Sequence, residues 1–316
     1  MKKKKVIRIV VIVLVFLFIS NSVATKIIYD SVFARYDRKE EPAPLSDERY
    51  ADLLNGRENI SVSMEDETLN SYFYDVQDEK GMMIIAPGLH AGADDYIPVV
   101  DFFFDAGYDV FAFDPLGCVG SSGKSPRGFS QEVYDLKAVL EYVRANYPGE
   151  DIYIFGHSRG GYAATAILDT DEDIKGVVSV SGLNSAMEAI IAFSAKYVGK
   201  VANLNYPSLW AYQAMLFGPK MMGIKSQNTI SESSVPVLVV QGAEDTTAPK
   251  DQYSIYSHES EITGDNCIFY LYSKPEHCGH TDLMYDGDGI NKEVFDYILE
   301  EFLDSCSDEG SLENAS

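Results

Sequence analysis

A single stretch, residues 152–162 (IYIFGHSRGGY), decides the fold of this chain. Its first four residues are apolar and predict a short buried strand, and a helical pattern begins at Tyr162. Between them lies Gly156-x-Ser158-x-Gly160, a strand-to-helix turn too tight for side chains at its two glycines. Such a turn holds the central residue in a strained conformation with its oxygen exposed. Ser158 is therefore the candidate nucleophile.

The same alternation of strand and helix extends in both directions from this turn. Short apolar runs that stop at Gly, Pro or Asp predict strands at 81–86, 108–113, 152–155, 177–180, 237–240 and 267–272. A hairpin is predicted at 60–64 and 70–76, and helices at 131–146, 162–168 and 294–303. Apolar runs this short suit strands buried on both faces, so the pattern predicts an α/β fold with a mostly parallel sheet and helices on both sides.

Residues 184–234 interrupt this rhythm, because they are far longer than an ordinary connection between strands. They are rich in aromatic residues and methionine, including Phe193, Trp210 and Met215. We expect a helical cap over the site. The apolar side chains could line a hydrophobic substrate pocket or could simply pack the cap itself.

The composition limits the classes of protein that the chain can represent. Hydrophobic residues make up 46% of the 316 residues, which is enough for a sizeable core. The formal net charge of −24 argues against nucleic acid as a partner, because phosphate binding needs clustered Lys and Arg. The oligomeric state is not readable from these numbers.

The N-terminus carries a targeting segment. Lys2–Lys5 form a basic run, and unbroken apolar sequence follows at Ile9–Ile19. Residues 1–28 are thus a signal peptide, cleaved after Ala24, or a membrane anchor extended by Ile27 and Ile28. We favour the anchor, with the basic end in the cytoplasm and the bulk of the chain outside.

Two further domain assignments follow from the sequence. Residues 29–58 are charged and are interpreted as a stalk or an N-terminal arm, and residues 59–316 as the main domain. Export permits disulfides, but the spacing of the four cysteines dictates no pairing.

The strand–turn–helix around Ser158 resembles the α/β-hydrolase superfamily, in particular its serine aminopeptidase or lysophospholipase-like bacterial members. The resemblance covers about residues 60–304. It implies the α/β-hydrolase fold, with eight strands, most of them parallel, and a cap inserted after the sixth strand, where 184–234 falls.

A serine hydroxyl needs a base to remove its proton and an acid to orient that base. The superfamily orders these residues Ser, acid, His. Residues 242–249 (GAEDTTAP) resemble its acid loop and point to Asp245, with Glu244 as the substitute. Gly279-His280-x-Asp282 resembles its histidine loop and points to His280, with His277 as the runner-up.

Two backbone N–H groups are expected to form the oxyanion hole. One is that of Arg159, directly after the nucleophile, and the other that of Leu89 in the loop after the third strand. The superfamily more often has His-Gly at this loop, where the chain has Pro87-Gly88. The donor is a backbone group, so the difference leaves the role intact. His90 is interpreted as a residue that shapes the pocket.

No cofactor or metal is expected. The glycines at 114–123 resemble a superfamily loop. The Lys124-Ser125 pair after them opens no helix, as a phosphate-binding loop requires, because Pro126 comes next, and the turn after the fifth strand lacks the G-x-G-x-x-G of a dinucleotide fingerprint. The His and Cys residues within 267–280 match no familiar zinc spacing.

The sequence therefore predicts a serine hydrolase that cleaves a carboxylic ester, with lipid and lysophospholipid esters among the candidate substrates. Small-molecule or lipid esters are the expected partners, along with the membrane. A peptidase or amidase is the enzymatic alternative, and a non-catalytic binding protein on the same fold is the other.

Overall fold

The structure of the chain is a computed structural model that describes residues 2–77, 79–287 and 289–307. Met1, at the start of the predicted targeting segment, lies outside the described residues. Residues 308–316, at the end of the predicted main domain, lie outside them as well.

Eight strands in the described residues form the central sheet. They are β1 (Glu58–Met64), β2 (Glu67–Tyr74), β3 (Met82–Ala86), β4 (Asp109–Phe113), β5 (Ile152–His157), β6 (Gly176–Val180), β7 (Val237–Gly242) and β8 (Cys267–Tyr272). Their order is β1-β2-β4-β3-β5-β6-β7-β8. Only the pairs β1–β2 and β2–β4 are antiparallel. The prediction of a mostly parallel sheet of eight strands is confirmed.

Helices cover both faces of this sheet, as predicted. They are α1 (Lys2–Val32), α2 (Ala51–Gly56), α3 (Ile97–Asp105), α4 (Gln131–Asn146), α5 (Arg159–Ala166), α6 (Ala186–Val198), α7 (Tyr206–Phe217), α8 (Ser226–Glu232), α9 (Lys292–Asp296) and α10 (Asp304–Ser307). A π-helical segment, Tyr297–Leu303, joins α9 to α10. A two-stranded ribbon pairs Tyr285–Asp286 with Gly289–Ile290.

The core consists of two apolar layers, one on each face of the sheet. Helices α4, α5 and α8 pack in the first layer, together with the end of α1. Helices α3 and α9 pack in the second. Strands β3, β4, β5 and β6 have every residue buried between the two layers. This double burial explains why these strands are continuous apolar runs rather than alternating ones.

Helix α1 has two parts with different surroundings. Its first part is exposed and apolar. Among the described residues, α1 is the one helix that is long and apolar enough to cross a membrane. A signal sequence or an anchor is compatible with such a helix. In its second part Thr25 and Tyr29 are buried, and so is Phe33, which directly follows the helix. These residues are four apart, so one side of this part packs against the domain.

The predicted boundary after residue 28 falls inside α1, which continues without a break to Val32. The following arm is also packed on the domain. Arg35 donates three hydrogen bonds to backbone carbonyls of residues 119–123, and Arg38 lies against Asp94 and Asp95. Residues 29–58 are thus attached to the domain at several points and are not an extended stalk.

The inserted segment, residues 184–234, joins β6 to β7 through α6, a 3-10 turn at Gly199–Asn205, α7 and α8. Helix α8 packs on α5 through a hydrogen bond between the hydroxyls of Thr165 and Ser226 and one that the Thr229 hydroxyl donates to the carbonyl oxygen of Thr165. Helix α7 packs on the end of α1. The segment is therefore helical, as predicted, while its role as a cap stays a prediction.

We expect Phe33→Ala to destabilise the domain by about 3–5 kcal/mol, because it removes a buried ring that contacts Tyr29 and Phe129. Urea unfolding of the full chain in detergent micelles measures this effect. Phe16→Ala, at an exposed position of α1, is the matched control and should change stability by less than about 0.5 kcal/mol. Equal effects of the two substitutions would contradict the packing of this part of the chain.

Candidate active site

Ser158 occupies the sharp turn between β5 and α5. Its backbone has φ +56° and ψ −111°, a conformation that a residue with a side chain rarely adopts. Two glycines make room for the turn. A Cβ atom on Gly156 would lie 2.3 Å from the carbonyl oxygen of Gly160, and one on Gly160 would lie 2.0 Å from that of Ala86. The Gly-x-Ser-x-Gly spacing is therefore a steric requirement of this turn.

Three side chains from distant parts of the sequence meet at this turn. His280 Nε2 lies 2.9 Å from Ser158 Oγ, and His280 Nδ1 lies 2.8 Å from Asp245 Oδ2. Ser158 follows β5, Asp245 follows β7 and His280 follows β8, at the carboxyl ends of parallel strands. An imidazole in this position can accept a proton from the hydroxyl while the carboxylate fixes its other nitrogen as a donor.

Asp245 is buried and held from several sides. Its Oδ1 accepts hydrogen bonds of 2.8 Å from the backbone N–H groups of Thr247 and Ala248, and its Oδ2 accepts one from the Gln241 side chain. Burial alone would raise the pKa of Asp245. The hydrogen bonds and the neighbouring His280 outweigh burial, so the pKa lies below its usual value and the group is a carboxylate.

The two expected oxyanion donors border the same point. Arg159 is the first residue of α5, so its N–H has no acceptor within the helix. Gly88 runs beside the nucleophile, since a Cβ on it would lie 3.6 Å from Ser158 Cβ, and Leu89 follows directly. Among the described residues the backbone N–H of Leu89 donates no hydrogen bond. Both N–H groups remain the predicted oxyanion donors.

The alternative residues lie elsewhere. His277 Nδ1 is 3.2 Å from the carbonyl oxygen of Tyr285, and its Nε2 is 3.7 Å from Asp286. Glu244 is exposed to solvent. His90 lines the pocket and lies against the ring of Tyr36, with 5.2 Å between the ring centroids. The arrangement thus brings together the first-choice set rather than the substitutes.

Sequence reasoning missed a second set of polar contacts beneath the serine. The Tyr96 hydroxyl lies 2.8 Å from His157 Nδ1 and accepts a hydrogen bond from Gly88 N–H, while His157 Nε2 lies 3.1 Å from the carbonyl oxygen of His280. These bonds tie the oxyanion loop to the histidine loop. His157 lies inside the Gly-x-Ser-x-Gly motif, so its position in the sequence could have indicated that it belongs to the site. Nothing in the sequence indicates Tyr96.

The Arg159 side chain points into the interior. Its Nη2 lies 2.5 Å from Glu132 Oε2 of α4, and both side chains are fully buried. Burial raises the pKa of Glu132, and the guanidinium opposes this effect. The pair joins the first turn of α5 to α4 directly behind the nucleophile.

A pocket of about 530 Å³ opens above the serine. Apolar and aromatic side chains dominate its wall, among them Leu89, Phe129, Phe193 and Met284. Asp95 is the one carboxylate among the described residues that line it, and Arg38 and the N–H of Gly92 already hold this group. A pocket of this size and lining suits a small, largely apolar ligand.

Comparisons with known proteins agree with this architecture. The chain aligns over 86% of its length with 98% of an esterase of Pyrococcus furiosus, at a TM-score of 0.63 and 21% identity. It aligns over 78% of its length with 98% of Est1E of Butyrivibrio proteoclasticus, solved with ferulic acid bound, at 0.58 and 18%. An α/β hydrolase of a Penicillium species matches over 79% and 97%, at 0.57 and 17%. At these identities the likeness establishes the fold.

The sheet order, the helices on both faces and these neighbours define the α/β-hydrolase fold. Residues 77–221, just under half of the chain, match the family model described as serine aminopeptidase, S33. The chain therefore has the α/β-hydrolase fold, as the sequence predicted. No curated protein matches it by sequence.

We expect His157 to make the fold sensitive to acid. Burial, and secondarily the charge of His280, lowers the pKa of His157 to about 3, against an ordinary value of 6.5. Between these values the unfolded chain binds a proton that the folded chain excludes, so stability falls as the pH drops below about 6.5. The full effect is about 4–5 kcal/mol.

Urea unfolding at a series of pH values, compared between the wild type and His157→Gln, isolates this contribution. Glutamine keeps a donor for the His280 carbonyl but does not titrate. The variant should lose less stability between neutral pH and about pH 4 than the wild type does. Parallel curves for the two proteins would show that His157 is not the responsible group.

Proposed function

We propose that this chain is a serine hydrolase that cleaves a carboxylic ester through an acyl-enzyme. One observation carries the proposal, namely that His280 bridges Ser158 Oγ at 2.9 Å and Asp245 Oδ2 at 2.8 Å. In this assignment Ser158 is the nucleophile, His280 the general base and then acid, and Asp245 the group that orients the imidazole.

The reaction follows from these positions. Ser158 Oγ attacks the carbonyl carbon of the ester as its proton passes to His280 Nε2. The negative charge on the carbonyl oxygen is stabilised by the N–H groups of Leu89 and Arg159. The imidazolium then protonates the departing alcohol, which leaves an acyl group on Ser158. A water molecule, deprotonated by His280, attacks this acyl group and releases the carboxylic acid.

The pocket favours an ester over the peptide alternative. A peptidase that acts on N-terminal residues has to bind the ammonium group of its substrate. Asp95, the one carboxylate on the described pocket wall, is already paired with Arg38. One structural neighbour is named an esterase, and another, Est1E, is solved with ferulic acid bound. The matched family model, in contrast, carries the name of a peptidase.

The apolar wall supports an acyl group with hydrophobic character. Phe193 is the single described aromatic residue of the inserted segment that reaches the pocket, alongside Leu89, Phe129 and Met284. The sequence suggested that the aromatic and methionine residues of the segment could line a hydrophobic substrate pocket. The remaining ones do not line it, so they do not support a lipid substrate. A lipid or lysophospholipid ester stays one member of the proposed substrate class.

We also propose that α1 remains in the cytoplasmic membrane as an anchor, with the hydrolase domain outside. The basic run Lys2–Lys5 supports this orientation. Cleavage after Ala24 would remove Asn21, whose side chain donates hydrogen bonds to Asn205 and Ser208 of the inserted segment. It would also make the buried Thr25 the new N-terminal residue and remove its hydrogen bond to the carbonyl oxygen of Asn21.

A fluorophosphonate probe tests the catalytic assignment. We expect it to label the wild type and to leave Ser158→Ala unlabelled, since the probe reacts with an activated serine. Asp245→Asn should lower the rate of ester hydrolysis on the order of 10³–10⁴-fold, because the imidazole loses the partner that sets its tautomer. Glu244→Gln, the adjacent exposed carboxylate, is the control and should keep wild-type activity. Equal labelling of wild type and Ser158→Ala would leave a non-catalytic binder as the better description.

A panel of p-nitrophenyl esters and aminoacyl p-nitroanilides separates ester from amide chemistry. We expect hydrolysis of esters whose acyl chain fits the pocket and a much lower kcat/KM for the anilides. Phe193→Ala should lower kcat/KM more for longer acyl chains than for acetate, because it removes apolar wall that only longer chains contact. A preference for anilides with a free amino group would favour the peptidase instead.

A further inference from the structure

The inserted segment contains a long stretch without charge. No charged residue lies between Lys200 and Lys220, although charged residues make up 23% of the chain and its net charge is −24. Helix α7 falls wholly within this stretch. Leu209 and Phe217 are buried beside the polar side chains of Ser208 and Gln213. The exposed positions of the helix carry mostly apolar residues, so it lacks the polar outer face of an ordinary surface helix.

Large apolar side chains point outward from this stretch. We call them the apolar ledge, which consists of Val201, Leu204, Tyr206, Trp210, Met215 and Leu216. Leu204 is 78% exposed and Met215 is 71% exposed. Scattered apolar residues on a surface are ordinary, but six large ones within residues 201–216, with no charged residue among them, indicate a surface that contacts another apolar phase.

The ledge adjoins the end of the apolar part of α1. Asn21 donates hydrogen bonds of 2.8 Å to Asn205 and Ser208, and Thr25 donates one of 2.7 Å to Asn205. From Val6 to Thr25 an α-helix rises about 30 Å, the thickness of the hydrocarbon core of a bilayer. If α1 spans the membrane, Asn21 and Thr25 lie at its outer boundary, and α7 starts at the same level.

We infer that the apolar ledge lies in the outer interface of the lipid bilayer, beside α1, so that the hydrolase domain is docked on the membrane rather than tethered above it. The inference rests on the proposed anchor and is independent of the catalytic proposal. Tyr206 and Trp210 are the residue types that prefer the interface, where an apolar ring and a polar edge are both satisfied. Lys200 flanks the stretch at one end, where lipid phosphates would lie, while Lys220 at the other end is paired with Asp169.

This docking places the pocket near the membrane surface. The ring of Phe33, at the end of α1, contacts Phe129 with 5.5 Å between centroids, and Phe129 stacks on Phe193 at 6.0 Å. Phe129 and Phe193 both line the pocket. A row of aromatic rings thus connects the anchor to the pocket wall, and an apolar ester dissolved in the bilayer would meet the pocket close to where α1 leaves the membrane.

Trp210 is the one tryptophan of the chain, so its fluorescence reports on the ledge without any labelling. The experiment reconstitutes the full chain into phosphatidylcholine–phosphatidylglycerol vesicles in which the phosphatidylcholine is brominated. We expect Trp210 emission to shift to the blue and to be quenched. Bromines near the headgroup end of the acyl chain should quench more strongly than bromines near its methyl end, because the ledge lies in the interface.

The matched control moves the tryptophan to the other layer of the core. Trp210→Phe combined with Tyr297→Trp puts the reporter next to Tyr270 on the opposite face of the sheet, where bromines should not quench it. Circular dichroism spectra and urea-unfolding transitions of both proteins check that they are folded. The inference is overturned if Trp210 is not quenched in vesicles that carry the chain, or if the two proteins are quenched equally. It is also overturned if the chain does not float with the vesicles. A blue shift without quenching would assign the ledge to a second copy of the chain, and that result also overturns it.

Discussion

The strained turn at Ser158 is the constraint on which the rest of the molecule depends. A non-glycine residue holds a positive φ there only because β5, α5 and the end of β3 approach closely enough to fix it, and Gly156 and Gly160 allow that approach. The same turn aims the hydroxyl at His280 and leaves the N–H of Arg159 free. The local geometry thus serves the proposed nucleophile and the proposed oxyanion hole together.

Buried polar groups maintain this turn against the three loops around it. His157, kept neutral by burial, lies between the Tyr96 hydroxyl and the carbonyl oxygen of His280, and the Arg159–Glu132 pair anchors α5 to α4. Removing one partner from such a network leaves a buried group without its hydrogen bond, which costs more than the bond itself contributes. The position of His280 is therefore determined by the interior as well as by its own loop.

The N-terminal helix is part of the same structure. Its buried face contacts the inserted segment through Asn205 and Ser208, and Phe33 touches Phe129 on the pocket wall. A segment that composition marks only as a targeting element thus contributes to the core of the domain. This packing is the physical basis for treating α1 as an anchor and for relating the pocket to the membrane.

The sequence by itself determined the class of fold, because short apolar strands, helical periodicity and a glycine-flanked serine are local patterns with local causes. It also nominated Ser158, Asp245 and His280, since each stands in a short motif directly after a strand. Only the tertiary structure decided which side chains touch. The Tyr96–His157 contact, the burial of Tyr29 and Phe33, and the failure of most aromatic residues in the inserted segment to reach the pocket depend on how distant elements pack, and no local pattern encodes that packing.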